Sequence, residues 1–162
     1  GRMLSSGWQG QIPPLEETTE TDWLYGGATI WRMSVVQAAS YDEWYIGHGY
    51  LEDVDYSYRV RADHRLFVVG DARCYHFSRP VALSKQYTMG RQQVVNRLYF
   101  IRKMGTFSWL AVAWALLGQL FFNFASGVPR GDSAGLRRRL GNLAGLGMVL
   151  TGRGGQIGGY YK

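Results

Sequence analysis

The segment that decides the fold runs from Leu51 to Arg59 and reads Leu-Glu-Asp-Val-Asp-Tyr-Ser-Tyr-Arg. Its carboxylates lie within four positions, and they are Glu52, Asp53 and Asp55. Acidic side chains are favoured in the first turn of a helix by its free N–H groups and its dipole, so the pattern predicts a helix over residues 53–62. Asp55 and Arg59 are four residues apart and can pair on one helix face.

A carboxylate at the start of a helix, facing open space, has the placement that a general base requires. An acidic helix cap with a surface ion pair would explain the same residues without any catalysis. Both interpretations stay open on this segment alone, and the flanking sequence must decide between them.

Composition limits the chain to one domain, or to one domain with an appendage, in 162 residues. The hydrophobic share of 46% is sufficient for a packed core. Eleven of the 12 acids precede Gly90, so a near-neutral part is followed by a basic part that would face an anionic partner. The lone Cys74 excludes an internal disulfide and fits a reducing compartment. The chain starts at Gly1-Arg2-Met3, and we expect a fragment that lacks its amino-terminal half.

Aromatic and glycine residues precede the acidic segment. Gly26 and Gly27 interrupt an apolar run that starts at Trp23, which predicts a close approach of the backbone to another group or a plain turn. Residues 1–20 show little periodicity and are predicted to be loop. Ser34 is positioned to cap a short helix that ends at Ala39.

Two strands are predicted after the acidic helix, over residues 65–69 and 73–76. The second strand ends on His76, so this helix–strand–strand unit would bring the histidine and the acids to one cleft. A structural histidine at a strand end is the simpler alternative.

The last part of the chain is predicted to be helical. A basic helix over residues 84–102 precedes 19 uncharged residues, 107–125, which approach the about 20 that span a bilayer. Arg102 and Arg130 flank this run, as do the arginines 137–139. A surface-lying or re-entrant arrangement, with residues 140–150 returning to the membrane, keeps both basic clusters on one anionic face. A buried core helix is the alternative, and the glycine-rich tail is predicted to be flexible.

The order of these features resembles the second half of the catalytic domain of bacterial family 2 glycosyltransferases, and rhamnosyltransferases and galactofuranosyltransferases are among the similar subgroups. The resemblance covers residues 23–102 and rests on Trp23, Gly26-Gly27-Ala28, Tyr41-Asp42-Glu43, residues 52–59 and His76. It implies an α/β fold, the carboxyl-terminal half of a GT-A, Rossmann-like domain, followed by a hydrophobic, membrane-associating helical region. The implied divisions are a catalytic portion over 1–103, membrane-associated helices over 104–150 and a flexible tail over 151–162.

The resemblance also implies roles for individual residues. Asp53 would be the catalytic base of an inverting transferase, taking a proton from an acceptor hydroxyl as that oxygen attacks the anomeric carbon of a nucleotide-sugar. Glu52 would orient the base or hold the acceptor. The implied substrate-binding residues are Trp23, which would stack on a sugar ring, with Gly26, Gly27 and Asp55.

The implied cofactor is Mg²⁺ or Mn²⁺, which would neutralise the leaving diphosphate. His76 would join the metal site, whereas the main Asp-x-Asp ligands of the family lie upstream of the matched region. Asp53-Val54-Asp55 has those letters but occupies the position of the base. Leu51 stands where the family usually has glycine or alanine, a departure that would change how the loop turns.

The implied partners are a nucleotide-sugar donor, a saccharide or lipid-linked acceptor and the membrane, at the cytoplasmic face of the bacterial inner membrane. No nucleic-acid partner is expected, since the basic residues border an apolar run. A non-catalytic, membrane-attached interaction module or degenerate relative is the alternative function. A glycoside hydrolase is disfavoured because the three acids are too close in sequence to flank a bond from opposite sides.

Overall fold

The computed structural model describes residues 1–47, 49–77, 80–127 and 133–154, without the side chains of 123–127. Helices predominate, and one small sheet accompanies them, so the chain mixes helix and strand. The strands are β1 (Thr19–Thr21) and β2 (Leu66–Val68). The helices are α1 (Met33–Ala38), α2 (Glu52–Val60), α3 (Gln86–Met104), α4 (Trp109–Gly127) and α5 (Ser133–Leu150).

The sheet differs from the predicted one. β1 and β2 pair antiparallel, with Thr19 opposite Val68, so the strand predicted at 65–69 is confirmed while its partner comes from a segment predicted to be loop. The strand predicted at 73–76 is wrong, because residues 72–77 adopt no regular structure and are exposed throughout. The physical reason is that this segment does not pack against the rest of the protein, as the 90% exposure of Tyr75 illustrates.

The helix predicted at the acidic segment is confirmed, and α2 begins one residue earlier than expected. Val54 packs into one core cluster, while Tyr56 and Val60 pack into a second, so α2 is buried on more than one side. The acids occupy its first turn. The short helix near Ser34 also exists, but it begins at Met33 and has no side-chain cap. α2 therefore carries the candidate site on a well-packed element.

The core is organised around α3. Its residues Val94, Val95 and Phe100 are at most 2% exposed and pack in one cluster with Trp23 and Val54. α5 lies closely against α3, because a methyl group added at Gly90, Gly141 or Gly145 would overlap the backbone of the other helix. Such contact between backbones is possible only where side chains are absent.

α4 follows α3 and contacts α5, but only one of its faces is covered. Val112 is buried in the core and Leu116 packs against it, whereas large apolar residues on the other side are exposed. Among the described residues, no helix is long and apolar enough to cross a membrane. Arg130 and most of the predicted tail, residues 155–162, lie outside the part of the chain that the structure describes.

Candidate active site

The candidate site begins at the turn that leads into α2. Leu51, the residue before the helix, has φ +76° and is only 4% exposed. A left-handed conformation costs a residue with a Cβ about 1 to 2 kcal/mol, and burial of the Leu51 side chain in the core offsets this cost. At the position where the resemblance leads one to expect glycine or alanine, the chain thus adopts a conformation that glycine accepts readily.

Asp53 projects from the first turn of α2 toward the glycine pair. Its Oδ2 accepts a hydrogen bond of 3.2 Å from the N–H of Gly26, and its Oδ1 accepts one of 2.8 Å from the N–H of Val54. The residue is half-buried and forms no ion pair among the described residues. Its carboxylate is therefore oriented by backbone groups and keeps its charge free of a cationic partner.

The glycine pair has unequal roles. A methyl group at Gly26 would lie 3.2 Å from Cβ of Asp53, whereas one at Gly27 would have nothing within 4 Å. The predicted close approach of the backbone is thus confirmed at Gly26 alone, and the group approached is the candidate base. One turn along α2, the hydroxyl of Ser57 accepts a hydrogen bond of 3.1 Å from the N–H of Leu24, which holds the same segment against the helix.

Glu52 lies beside Asp53 and is exposed. Its side chain folds back over Gly49, where a methyl group would overlap the Glu52 carboxyl group. Burial of part of the carboxyl group, followed by the nearby charge of Asp53, raises the pKa of Glu52 above its ordinary value. The two neighbouring acids thus interact electrostatically, as expected of a pair at one site.

Asp55, predicted to bind substrate, is fully buried instead. Its Oδ2 lies 2.8 Å from Nε of Arg59, which confirms the predicted pair, and its Oδ1 lies 2.8 Å from Nζ of Lys103. The hydroxyl of Tyr45 donates a further hydrogen bond of 3.2 Å. The substrate-binding role is therefore wrong for Asp55, because its oxygens are occupied inside the protein and it has no exposed surface.

Lys103 extends this network to the loop that precedes α2. Its ammonium group also lies 2.6 Å from Oδ2 of Asp42. The Tyr99 hydroxyl donates to the same Oδ2, and the N–H of Trp44 donates to Oδ1. Burial favours the protonated form of Asp42, but these donors and the Lys103 charge outweigh it and lower its pKa to about 2. The motif residue Asp42 is thus a structural anion that fixes the loop.

Trp23, predicted to stack on a sugar, is 3% exposed. Its indole N–H donates to the carbonyl of Gly10 over 3.1 Å, and the edge of Tyr25 contacts its ring. That prediction is wrong, since the ring has no face available to a ligand. The exposed aromatic residues beside the acids are Tyr25, which directly precedes Gly26, and Tyr41, whose pKa is raised by burial and further by Glu52 and Asp53.

Sequence reasoning passed over both tyrosines as stacking groups, although Tyr41 belongs to a motif already singled out. Their positions in the sequence could have indicated them. Tyr25 is adjacent to the glycine pair, and Tyr41 precedes Asp42, which pairs with Lys103. Tyr41 stacks on Tyr56 of α2, with ring centroids 4.3 Å apart and planes at 8°. It is therefore held in place while 44% of its surface remains exposed.

His76 lies in the exposed, irregular segment 72–77. It forms no hydrogen bond or ion pair with another described residue, and the absence of the second strand removes the reason for expecting it beside the acids. No group of three or more His, Cys, Asp or Glu side chains capable of holding a metal ion occurs in the described part of the chain. The residues present here do not make a complete Mg²⁺ or Mn²⁺ site by themselves.

A cavity of about 600 Å³ lies next to the turn that contains Gly26. Tyr25, Ala28 and Ile30 line one wall, and residues 12–15 and 67–70 contribute others. Neither Glu52 nor Asp53 lines it, so the candidate acids lie outside this cavity. Comparison of the chain with protein family models, with curated proteins and with solved structures finds no match.

Proposed function

We propose that this chain is the acceptor-side part of an inverting glycosyltransferase and that Asp53 is its general base. The observation that carries the proposal is the contrast between two acids on one helix turn. Asp53 is oriented by two backbone N–H groups and lacks a cationic partner among the described residues, whereas Asp55 is sealed in an ion-pair network. A structural acid behaves like Asp55; a base must keep an accessible, unpaired carboxylate.

In the proposed reaction, a hydroxyl group of the acceptor sugar donates its hydrogen bond to Asp53. The hydroxyl oxygen attacks the anomeric carbon of a nucleotide-sugar, its proton passes to Asp53, and the nucleoside diphosphate leaves from the opposite side. One displacement of this kind inverts the anomeric centre. Glu52 would bind or orient the acceptor beside Asp53, and Tyr25 or Tyr41 would supply the aromatic surface that Trp23 cannot.

The geometry of α2 supports the base position over a metal position for Asp53-Val54-Asp55. Residues two apart on a helix point to opposite sides, and here one faces out while the other faces the core. Two such carboxylates cannot share one cation. The divalent cation and the nucleotide of the proposed enzyme would therefore be bound by residues other than this pair.

The finer assignment of the fold belongs to the same proposal. The packed part that carries α2 would be the carboxyl-terminal half of a GT-A domain, and the helices after residue 103 its membrane-associated region. The proposed donor is a nucleotide-sugar, the acceptor is a saccharide or lipid-linked saccharide, and the proposed site of action is the cytoplasmic face of the bacterial inner membrane.

The test is Asp53→Asn in the complete gene product, assayed with nucleoside diphosphate rhamnose and galactofuranose as donors and a lipid-linked saccharide as acceptor. We expect kcat to fall at least about 100-fold, the scale on which general bases contribute. Asp63→Asn is the matched control, because Asp63 is an exposed acid just beyond the other end of α2 and without an ion pair among the described residues. The control should retain full activity.

An unchanged transfer rate in Asp53→Asn would overturn the proposal and favour the non-catalytic, membrane-attached module. Products formed with water as acceptor would instead indicate a hydrolase. Circular dichroism of both variants separates loss of chemistry from loss of fold, because Asp53 also accepts a hydrogen bond from Gly26, 27 positions away.

A further inference from the structure

One face of α4 is apolar and uncovered. Leu110, Trp114, Leu117 and Phe121 recur at intervals of four, three and four residues, which places them on one side of the helix. Their exposed fractions are 84%, 78%, 61% and 73%. The opposite side, at Val112, is buried in the core. α4 is thus anchored on one side and presents large apolar groups on the other.

α5 repeats this arrangement. Leu136, Leu140, Leu143 and Leu150 follow the same periodicity, and each is more than half exposed. Its opposite side, which includes the glycines that contact α3, is buried. We call the exposed apolar faces of α4 and α5 together the apolar surface. Single exposed leucines are ordinary, but two such faces on contacting helices indicate a surface that binds something.

The charges around the apolar surface have one sign. From residue 80 onward, Asp132, which lies outside the described residues, is the sole acid in the sequence, against eleven lysines and arginines. At 100° per residue, Arg137 and Arg139 fall on either side of the line from Leu136 to Leu140. Neither arginine forms an ion pair with a described residue. Arg137 is exposed, whereas Arg139 is half-buried and its Nε is enclosed without a hydrogen-bond partner.

This combination distinguishes between two possible occupants. A symmetric dimer through the apolar surface would bring Arg137 and Arg139 of both copies together, and neither α4 nor α5 carries an acidic residue to pair with them. An anionic bilayer supplies both requirements, since apolar side chains enter the boundary of the acyl chains while arginines contact phosphate. Tryptophan, exposed at Trp109 and Trp114, is a residue favoured at that boundary.

We propose that the apolar surface lies flat on an anionic lipid bilayer, with α4 and α5 parallel to the membrane plane and Arg137 and Arg139 against the headgroups. The inference deepens the proposed function and rests on it for its biological sense, because a lipid-linked acceptor would be held at the same membrane. Membrane binding itself depends only on the exposed apolar faces of α4 and α5 and on the arginines beside them.

The test measures binding of the complete gene product to phosphatidylcholine vesicles and to vesicles with one third phosphatidylglycerol, at low and high salt. We expect binding to the anionic vesicles that weakens with salt. The double variant Leu110→Ser with Leu117→Ser should bind at least about tenfold less, and Arg137→Gln with Arg139→Gln should lose the preference for anionic lipid. Ile30→Ser is the matched control, since Ile30 is 98% exposed in another part of the molecule.

Failure to bind either kind of vesicle would overturn the inference, as would equal losses in Ile30→Ser. A dimer that the leucine variants dissociate, with no lipid binding, would assign the apolar surface to a second copy instead. The outcome is separable from that of the proposed function. Asp53→Asn should keep vesicle binding while losing transfer, and the leucine variants should keep transfer to a water-soluble acceptor.

Discussion

α3 and α4 are both 19 residues long, yet their environments are the reverse of what their sequences suggest. α3 buries Gln92, Asn96 and Arg97, each at most 3% exposed, whereas apolar α4 exposes most of its large side chains. The buried polar side chains of α3 donate hydrogen bonds to backbone carbonyls of neighbouring loops. Asn96 donates to the carbonyl of Tyr50 over 2.9 Å, and Arg97 donates to the carbonyl of Gly7 over 2.6 Å.

A helix is therefore buried in this fold where its side chains satisfy backbone groups of neighbouring loops, as well as where its side chains are apolar. The loops around residues 7 and 50 run along α3, and their carbonyls need donors that apolar residues cannot provide. No described loop covers the outer side of α4, where Leu110, Trp114 and Leu117 are exposed. Three measurements test whether α3 and α4 differ in this way.

The largest effect is expected at the contact between α3 and α5. Gly141→Ala would place a methyl group on the backbone of Tyr87, forcing the helices apart and lowering the free energy of unfolding by about 3 kcal/mol. Gly118→Ala on α4 is the matched control, because nothing lies within 4 Å of the added group. There the better helix propensity of alanine should raise the free energy of unfolding by up to about 1 kcal/mol. Urea denaturation of both variants measures the difference, and equal effects would contradict the described packing.

A smaller effect is expected at Arg97. Its guanidinium is buried, which lowers its pKa, and it bonds Gly7 and Gln9. Arg97→Met would leave the Gly7 carbonyl without that donor and lower the free energy of unfolding by about 2 kcal/mol. Arg102→Met, exposed near the end of the same helix, should change it by less than about 0.5 kcal/mol. A neutral Arg97→Met would mean that hydropathy alone holds α3 in the core.

The smallest expected effect is on the acid stability of the protein, through Asp42. Lys103, in the last turn of α3, holds Asp42 ionised with a pKa of about 2, below the ordinary value of 3.8. Because the folded state holds Asp42 ionised more strongly than the unfolded state does, this carboxylate stabilises the fold above pH 3.8. The contribution is lost as the pH falls from 3.8 toward 2. Unfolding curves measured across that range should therefore show a steeper decline for the native chain than for Asp42→Asn. Identical slopes would show that this ion pair contributes nothing.

Local signals explain what could be predicted from the sequence. α2 and the pair of Asp55 with Arg59 depend on neighbours within one or two turns, and both predictions are confirmed. The pairing of β2 with β1 and the contact of Lys103 with Asp55 join residues more than 40 positions apart. No local pattern in one sequence records such contacts, so the sheet partner was wrong and the burial of Asp55 was missed.

Candidate roles that depended on exposure were the least predictable. Trp23 and Tyr25 are both aromatic and two residues apart, but the first is buried and the second exposed. Adjacency to the glycine pair was a sound signal for the region, and only the fold decides which of the two rings reaches solvent. The assignment of Asp53 as base, with the metal and donor that it requires, stays a prediction for the activity assay.

Leu51 combines a left-handed backbone conformation with a side chain buried in the core. Glycine at this position would relax the backbone but leave a void beneath the turn, while alanine would keep the left-handed penalty and fill little of the space. The leucine side chain is buried in the core and anchors the turn, which sets the direction in which Glu52 and Asp53 project from the start of α2. In the proposed enzyme, an acceptor would therefore meet acids that core packing has already oriented.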